Sequence, residues 1–360
     1  MVGLIIAAPV ARSPFIKKYV DCLEEERIPY EVVEWVRKES GRSAGENTHT
    51  FFERTEQYSG LLAKVQPFLH FRRYAKRIIQ EKKYDKLVVL TTQSAVVLFD
   101  VLLKKKYKNK YFFDYRDTSY EYIRPYKRLI DRIIRNSYAT CISSDGFRKY
   151  LTDKKELILS HNFQDKYYDG RVLHCAPRHE EGKIVMGYVG YLREYEYLTK
   201  VVDVFGNDPR FTFRLYGGGD CEEKLRDYAS RYANVEVLGA YKEEDKMAIV
   251  DSFDMICYNY PTSFVNYPAV ANKFYDGMIR KKPMFSNLDT FSGEQVAKHG
   301  LGIGLHENET GIADKIYEYY ETFDRAAFEK NCEDYLAKVM QDERRYVEAI
   351  RGFLKGENDI

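Results

Sequence analysis

The chain has 360 residues, 44% of them hydrophobic and 31% charged, enough apolar material for two ordinary cores and too much for a disordered chain. Its six cysteines, at 22, 141, 175, 221, 257 and 332, include no Cys-x-x-Cys pair. That argues against a disulfide scaffold and a zinc site, and for reduced, mostly buried thiols in a cytoplasmic protein. The net charge of +2 is unevenly shared: residues 1–160 carry 31 Lys and Arg against 20 Asp and Glu, residues 161–360 carry 26 against 35. A basic half points to an acidic partner such as an anionic membrane surface, nucleic acid or a phosphorylated acceptor. The plain alternative is a set of solvated helix faces.

The start, "MVGLIIAAPVARSP", has no basic residue ahead of its apolar run, so it reads as a first strand rather than a signal peptide. A helix is predicted over about Ser13–Arg27, then a strand at "YEVVEW". "GRSAGENTHT" reads as a polar loop. A basic amphipathic helix is predicted over about Leu61–Lys82. "LVVLTTQSAVVLFDVLL" is interrupted by polar residues, which makes it a strand followed by a helix rather than a membrane span. "KLVVL", "KYFFDY", "YATCISS" and "ELILSHNF" read as strands with helices between them. The alternation lapses over 164–182, "QDKYYDGRVLHCAPRHEEG", and then restarts. Strands are expected at "KIVMGYVG", "FTFRLYGGG", "VEVLG", "DMICYNY", "PMFSN" and "LGIGL", and helix from about Thr310 to near Leu354. Short strands alternating with helices mean parallel, doubly wound sheets. The expected organisation is α/β, with a domain over 1–163, a linker over 164–182, a second domain over 183–340 and a terminal helix over 341–360.

In open parallel sheets, ligands bind beyond the carboxyl ends of the strands. Several motifs fall there. "GYVGYLR" places Gly190 for close backbone approach and Arg193 to meet a phosphate; the alternative is a tight turn. "LYGGGD" offers Gly217 and Gly218 as a backbone cradle, but no Gly-Lys-Ser or Gly-Lys-Thr follows, so it is not a P-loop. The first βα turn, "AAPVARS", has no glycine, which argues against an NAD enzyme. In "NYPAVANKFYDGM", Asn272 suits a helix cap, and the helix amino end with Lys273 suits a diphosphate. Asp276 suits a ribose diol. A Lys273–Asp276 surface ion pair is the alternative. In "TFSGEQV", Ser292 would cap, Gly293 would allow close approach, and Glu294 lies near the helix start.

In the first half, "FDYRDTSYE" sets Asp114, Arg116 and Asp117 at a strand end, as an acceptor-hydroxyl or pyrophosphate contact or a catalytic base. A self-contained Arg–Asp network shaping the turn is the alternative. "SHNF" adds His161 and Asn162.

Taken in order, "GYVGYLR", "LYGGG", "NVEVLGAY", "DMICYNY", "NKFYDGMIRKKPMF" and "SGEQVAKHGLG" resemble the donor domain of bacterial GT-B glycosyltransferases of family four, of the capsular or exopolysaccharide type. "YFFDYRDTSYE", "SSDGF" and "SHNF" resemble the same group. The resemblance implies two Rossmann-like domains facing across a cleft, a nucleotide sugar held mainly by the second, and a last helix crossing back to the first. It implies transfer to an acceptor hydroxyl, usually with retention and with no metal or other cofactor. Asp276 then matches the ribose-binding acid, Arg193 the diphosphate contact and Gly190 the close-approach glycine. The chain departs from the pattern in two places. Pro268 stands where the family often has a first acid, with Asn266 the nearest polar residue, and no lysine follows Arg193 before Lys200.

The expected function is a cytoplasmic glycosyltransferase, peripheral at the inner face of the cell membrane, moving a sugar from a UDP- or GDP-sugar to a lipid-linked or polysaccharide acceptor. The rivals are a binding or scaffold protein of the same fold with decayed chemistry and a nucleotide-sugar epimerase. Nucleic acid is not an expected partner, because no recognition motif accompanies the basic helices.

Overall fold

A computed structural model of the chain describes residues 1–37, 45, 47–54, 61–152, 155–171, 173–175 and 182–357. Two compact units emerge, one built from Met1–His161 with Gln341–Ile360 and the other from Asn162–Met340.

Unit 1 is a parallel sheet of seven strands in the order β3-β2-β1-β4-β5-β6-β7. These are β1 (Val2–Ile6), β2 (Tyr30–Val36), β3 (Thr48–Phe52), β4 (Lys86–Leu90), β5 (Tyr111–Tyr115), β6 (Ala139–Ile142) and β7 (Leu157–Leu159). β1 and β5 are buried at every position, as strands covered on both faces by helices must be. One face packs Trp35, Phe71, Leu98 and Ile133. The other packs Tyr19, Leu23, Phe112, Tyr346 and Phe353. The last two come from the helix Arg325–Lys355.

Part of the predicted polar loop is a strand. Thr48, His49 and Thr50 belong to β3, which pairs in parallel with β2. Two β-branched residues and two phenylalanines in "THTFF" suit an edge strand, and half-burial along its whole length fits that place. The rest of that loop, 41–44 and 46, lies outside the described residues.

Unit 2 is a parallel sheet of six strands in the order β10-β9-β8-β11-β12-β13. These are β8 (Ile184–Val189), β9 (Phe211–Tyr216), β10 (Val235–Gly239), β11 (Met255–Tyr258), β12 (Met284–Asn287) and β13 (Gly302–Leu305). Its cores are built around Phe205, Phe213 and Phe285 on one face and Phe253, Phe274 and Met278 on the other. Phe163 belongs to the second of these, and Tyr167 Oη donates to Glu243 Oε1 at 2.6 Å. So the start of the stretch read as linker is packed against unit 2. Residues 172 and 176–181 of it lie outside the described residues. The long terminal helical region is two helices, Ile312–Thr322 and Arg325–Lys355.

Candidate functional site

Strand order in unit 2 reverses between β8 and β11. A crevice opens at such a switch point, beyond the carboxyl ends of the two strands. From β8 come Tyr188 and, just past it, Gly190 to Arg193. From β11 come Tyr260 and then the helix Asn272–Ile279.

Lys273 occupies this point. It is 3% exposed, and its Nζ has no hydrogen-bond partner. The ammonium lies 3.5 Å from the ring centroid of Tyr188 and 4.6 Å from that of Tyr260. Two ring faces stabilise a cation, but they do not replace the hydration it has lost. Burial therefore lowers its pKa to about 7, and the positive charge of Arg193 acts in the same direction.

Gly190 faces this group. Its φ is +145°, which an L side chain rarely adopts, and a Cβ there would lie 4.0 Å from Lys273 Nζ with little else nearby. A glycine is thus required by the backbone, and the space beside it is open. Arg193 follows, exposed. The orphan amides of the helix amino end, at Asn272 and Lys273, belong to the same region. An ammonium with no acceptor, a guanidinium, free amides and open backbone together favour an anion.

Asp276 does not pair with Lys273. Its Oδ2 lies 2.7 Å from Nζ of Lys246, and both residues are buried. Burial raises the Asp276 carboxyl above its ordinary range, and Lys246 pulls it back. The contact is close but poorly aligned for a hydrogen bond, so Oδ2 keeps accepting capacity. The surface ion pair considered for Lys273 and Asp276 is therefore absent. Lys246, thirty residues away and within "KEEDKMAIVDS", carried no local signal of this role.

The two expected caps are displaced. The residue before the helix Asn272–Ile279 is Ala271, whose amide donates to Tyr258 Oη at 2.9 Å; Asn272 is already helical and makes no cap bond. The helix Phe291–Lys298 is capped by Thr290, whose Oγ1 accepts from Gly293 N at 3.1 Å. Ser292 is buried beside it, 3.2 Å from the same hydroxyl. Both serine and threonine suit this position, and extended backbone at Thr290 decides it. Glu294 is exposed and accepts from Tyr267 Oη at 3.3 Å.

Gly217 serves packing. A Cβ there would lie 1.7 Å from Gly190 O, and its amide donates to Gly239 O at 2.7 Å. The glycine run thus lets the loops after β8 and β9 touch, and the Gly217 amide is not available to a ligand. Gly218 is half-buried beside it. Gly293 likewise sits against Asn287 O, 1.8 Å from where its Cβ would be. Asn266 donates to Glu194 Oε1 at 3.3 Å and to Pro261 O at 3.2 Å. An acid, Glu194, thus stands beside the polar residue nearest the place where Pro268 replaces one.

In unit 1, Asp114 and Arg116 form a closed network. Asp114 is fully buried. It accepts from Arg116 Nε at 2.6 Å, Arg116 Nη2 at 3.0 Å and Tyr19 Oη at 3.0 Å. The guanidinium also donates to Ser160 O and Oγ, at 3.0 and 2.6 Å, and Asp114 holds its pKa well above the usual arginine value against burial. A carboxylate so enclosed offers no lone pair to an acceptor hydroxyl. This corrects the reading of Asp114 and Arg116 as base and ligand contact: they brace the ends of β5 and β7. Asp117 alone of the three is exposed. His161 Nε2 lies 3.2 Å from Asp342 Oδ2. Asn162 donates to Val270 O at 2.8 Å within unit 2.

Among the described residues no helix is long and apolar enough to cross a membrane. The chain matches no protein-family model, and no curated protein is found as a sequence relative. Solved structures do share its fold. Anabaena HepE in complex with UDP is similar with a TM-score of 0.67 at 13% identity, over 97% of this chain and 99% of that one. The same protein was also solved with UDP-glucose. The lipopolysaccharide outer core galactosyltransferase WaaB is similar at 0.64 and 12% identity, over 99% of each chain. WaaG, a glycosyltransferase involved in lipopolysaccharide biosynthesis, is similar at 0.63 and 10%, over 98% and 100%. The chain thus has the GT-B fold, two Rossmann-like α/β units with parallel sheets.

Proposed function

We propose that this protein is a glycosyltransferase that takes its sugar from a UDP- or GDP-sugar. One observation carries the reading: an ammonium buried without a partner at the switch point of unit 2, facing the open backbone of Gly190. A diphosphate supplies the missing counter-charge. HepE, similar in fold, was solved with UDP and with UDP-glucose, which supports a nucleotide sugar as the anion.

In this reading Lys273, Arg193 and the helix amino end stabilise the leaving diphosphate, and catalysis is mainly positioning and electrostatics. Lys273 takes the place of the lysine this chain lacks after Arg193. Asp276 uses its remaining accepting capacity on the ribose, with Lys246 holding it in place. Glu194 and Asn266 stand nearest the expected sugar contact. The resemblance in sequence favours retention, no metal, and a lipid-linked or polysaccharide acceptor in bacterial surface polysaccharide synthesis at the cytoplasmic side of a membrane. A hexosyl donor fits that setting.

A thermal-shift screen of the pure protein against UDP, GDP and their sugars tests the reading, because a ligand that binds only the native state raises Tm. A rise with one nucleotide series, and slow release of that nucleotide from its sugar, is the expected result. No rise with any of them contradicts it.

A further inference from the structure

The described surface of unit 1 carries an apolar cap on a row of unpaired arginines. Tyr120, Tyr122 and Ile123 are 54%, 64% and 44% exposed. They are held out by the turn that carries them. Glu121, between the tyrosines, is buried and accepts from Tyr115 Oη at 2.9 Å and from Ser119 N at 2.6 Å. Ile123 N donates to Tyr120 O at 2.8 Å. The Tyr120 ring lies 6.3 Å from Tyr122 and 5.7 Å from Tyr126. Burying the acid while exposing its neighbours costs apolar hydration, and a preformed patch of this kind marks a contact surface.

The helix Arg124–Asn136 starts at the next residue. Ile130, Ile133 and Ile134 are its buried side. Arg124, Arg128, Arg132 and Arg135 are exposed, and their spacing of four, four and three places them on the opposite side. Among the described residues none of the four has a carboxylate partner; Lys127 takes Asp131, and Arg135 bonds only the Asp131 carbonyl. An ordinary solvated helix face carries interleaved acids, whereas this one leaves its positive charge uncompensated.

We infer that Tyr120, Tyr122, Ile123 and the arginine row form a docking surface for an anionic phospholipid bilayer. The arginines meet lipid phosphates, and the tyrosines and Ile123 enter the headgroup region, where amphipathic rings are favoured. A single-stranded nucleic acid would also attract arginine and tyrosine. It is disfavoured because the rings cluster at one end of the row instead of alternating with it, and because Ile123 has no ring to stack on a base. The surface deepens the reading above by naming where a membrane-held acceptor is met. Vesicle affinity and nucleotide affinity are measured separately, so either can fail alone.

The test is co-sedimentation with vesicles of phosphatidylcholine, with and without phosphatidylglycerol. Trp35 is the chain's one tryptophan and is fully buried, so Tyr122→Trp installs a surface reporter. Binding is expected only with phosphatidylglycerol, falling with salt, together with a blue shift of the new indole and quenching by brominated lipid. Arg124→Gln, Arg128→Gln and Arg132→Gln combined should weaken it by about a hundredfold, at the usual contribution of a surface arginine near anionic lipid. Tyr122→Ser with Ile123→Ser should abolish insertion while leaving salt-sensitive adsorption. All these side chains are exposed, and unchanged thermal melts confirm intact folds. Equal binding of the triple variant, no response of the indole, or preference for single-stranded nucleic acid over the vesicles overturns the inference.

Discussion

Nζ of Lys246 lies 2.7 Å from Oδ2 of Asp276, and both residues are buried in unit 2. The pair leaves Lys273, three residues before Asp276, without a counter-ion. Had Lys273 and Asp276 paired, the switch point would hold no uncompensated charge and no call for an anion. The placement of one lysine on another helix therefore defines the site.

Removing Lys246 tests that arrangement. Lys246→Met strands a buried carboxylate and should destabilise the protein by about 3–5 kcal/mol, the usual cost of breaking a buried pair from one side. Lys246→Met with Asp276→Leu should recover most of the loss. Urea unfolding measures both. The Asp276 carboxyl is raised in the fold, so the folded state binds its proton more readily than the unfolded state does. The deficit of the single variant should therefore shrink as pH falls toward the ordinary carboxylate range and grow as pH rises above it.

Lys273 has the opposite sign. Its folded pKa, about 7, lies below that of an unfolded lysine. Between pH 7 and about 10 the unfolded chain binds the extra proton, so stability rises with pH there, by roughly 1 kcal/mol per unit at most. Below pH 7 the buried charge is present in both states and the full penalty remains. Lys273→Met should be more stable than the parent at pH 6.5, with the difference narrowing toward pH 9.5. Chemical denaturation at the two pH values checks it.

Gly217→Ala should damage the site from a distance. Its Cβ would fall 1.7 Å from Gly190 O, at a φ of +155°. The dihedral alone costs about 1–3 kcal/mol, and the clash pushes Gly190 away from Lys273. A lower Tm together with lost nucleotide affinity is expected. Gly218→Ala should be mild, because a Cβ there meets nothing closer than 3.4 Å.

Asp114→Ala separates bracing from chemistry. It leaves the buried Arg116 guanidinium unpaired, at a cost of about 3–5 kcal/mol. Unit 1 should melt earlier, while the nucleotide affinity of unit 2 stays unchanged wherever the protein is folded. A differential scan with a parallel binding measurement distinguishes this from a ligand-contact role.

The alternation of buried strands and helices was plain in the sequence because runs such as "KLVVL" and "YFFDY" have no polar face to show. The order of the second-half motifs pointed to the GT-B fold for the same reason: each marks a strand end. Side-chain partners were not legible. Asp114 and Arg116 stand two residues apart and look like a ligand cluster, yet Ser160 and Tyr19 complete their network from distant positions. Lys246 and Asp276 are thirty residues apart, with nothing local to join them. The cap at Thr290 and the packing role of Gly217 depend on backbone conformation and on a neighbouring loop, which a linear pattern does not carry.

The central claim is that a nucleoside diphosphate binds against Lys273 beside Gly190. Calorimetry with UDP and GDP, at pH 7 and pH 8.5, on the parent and on Lys273→Met tests it most directly. An anion favours the charged ammonium, so binding should take up a proton and be tighter at pH 7. The variant should bind tenfold or more weakly at pH 7, lose the pH dependence, and keep its Tm. A folded parent that binds neither nucleotide, or a variant that binds as tightly as the parent at both pH values, would contradict it.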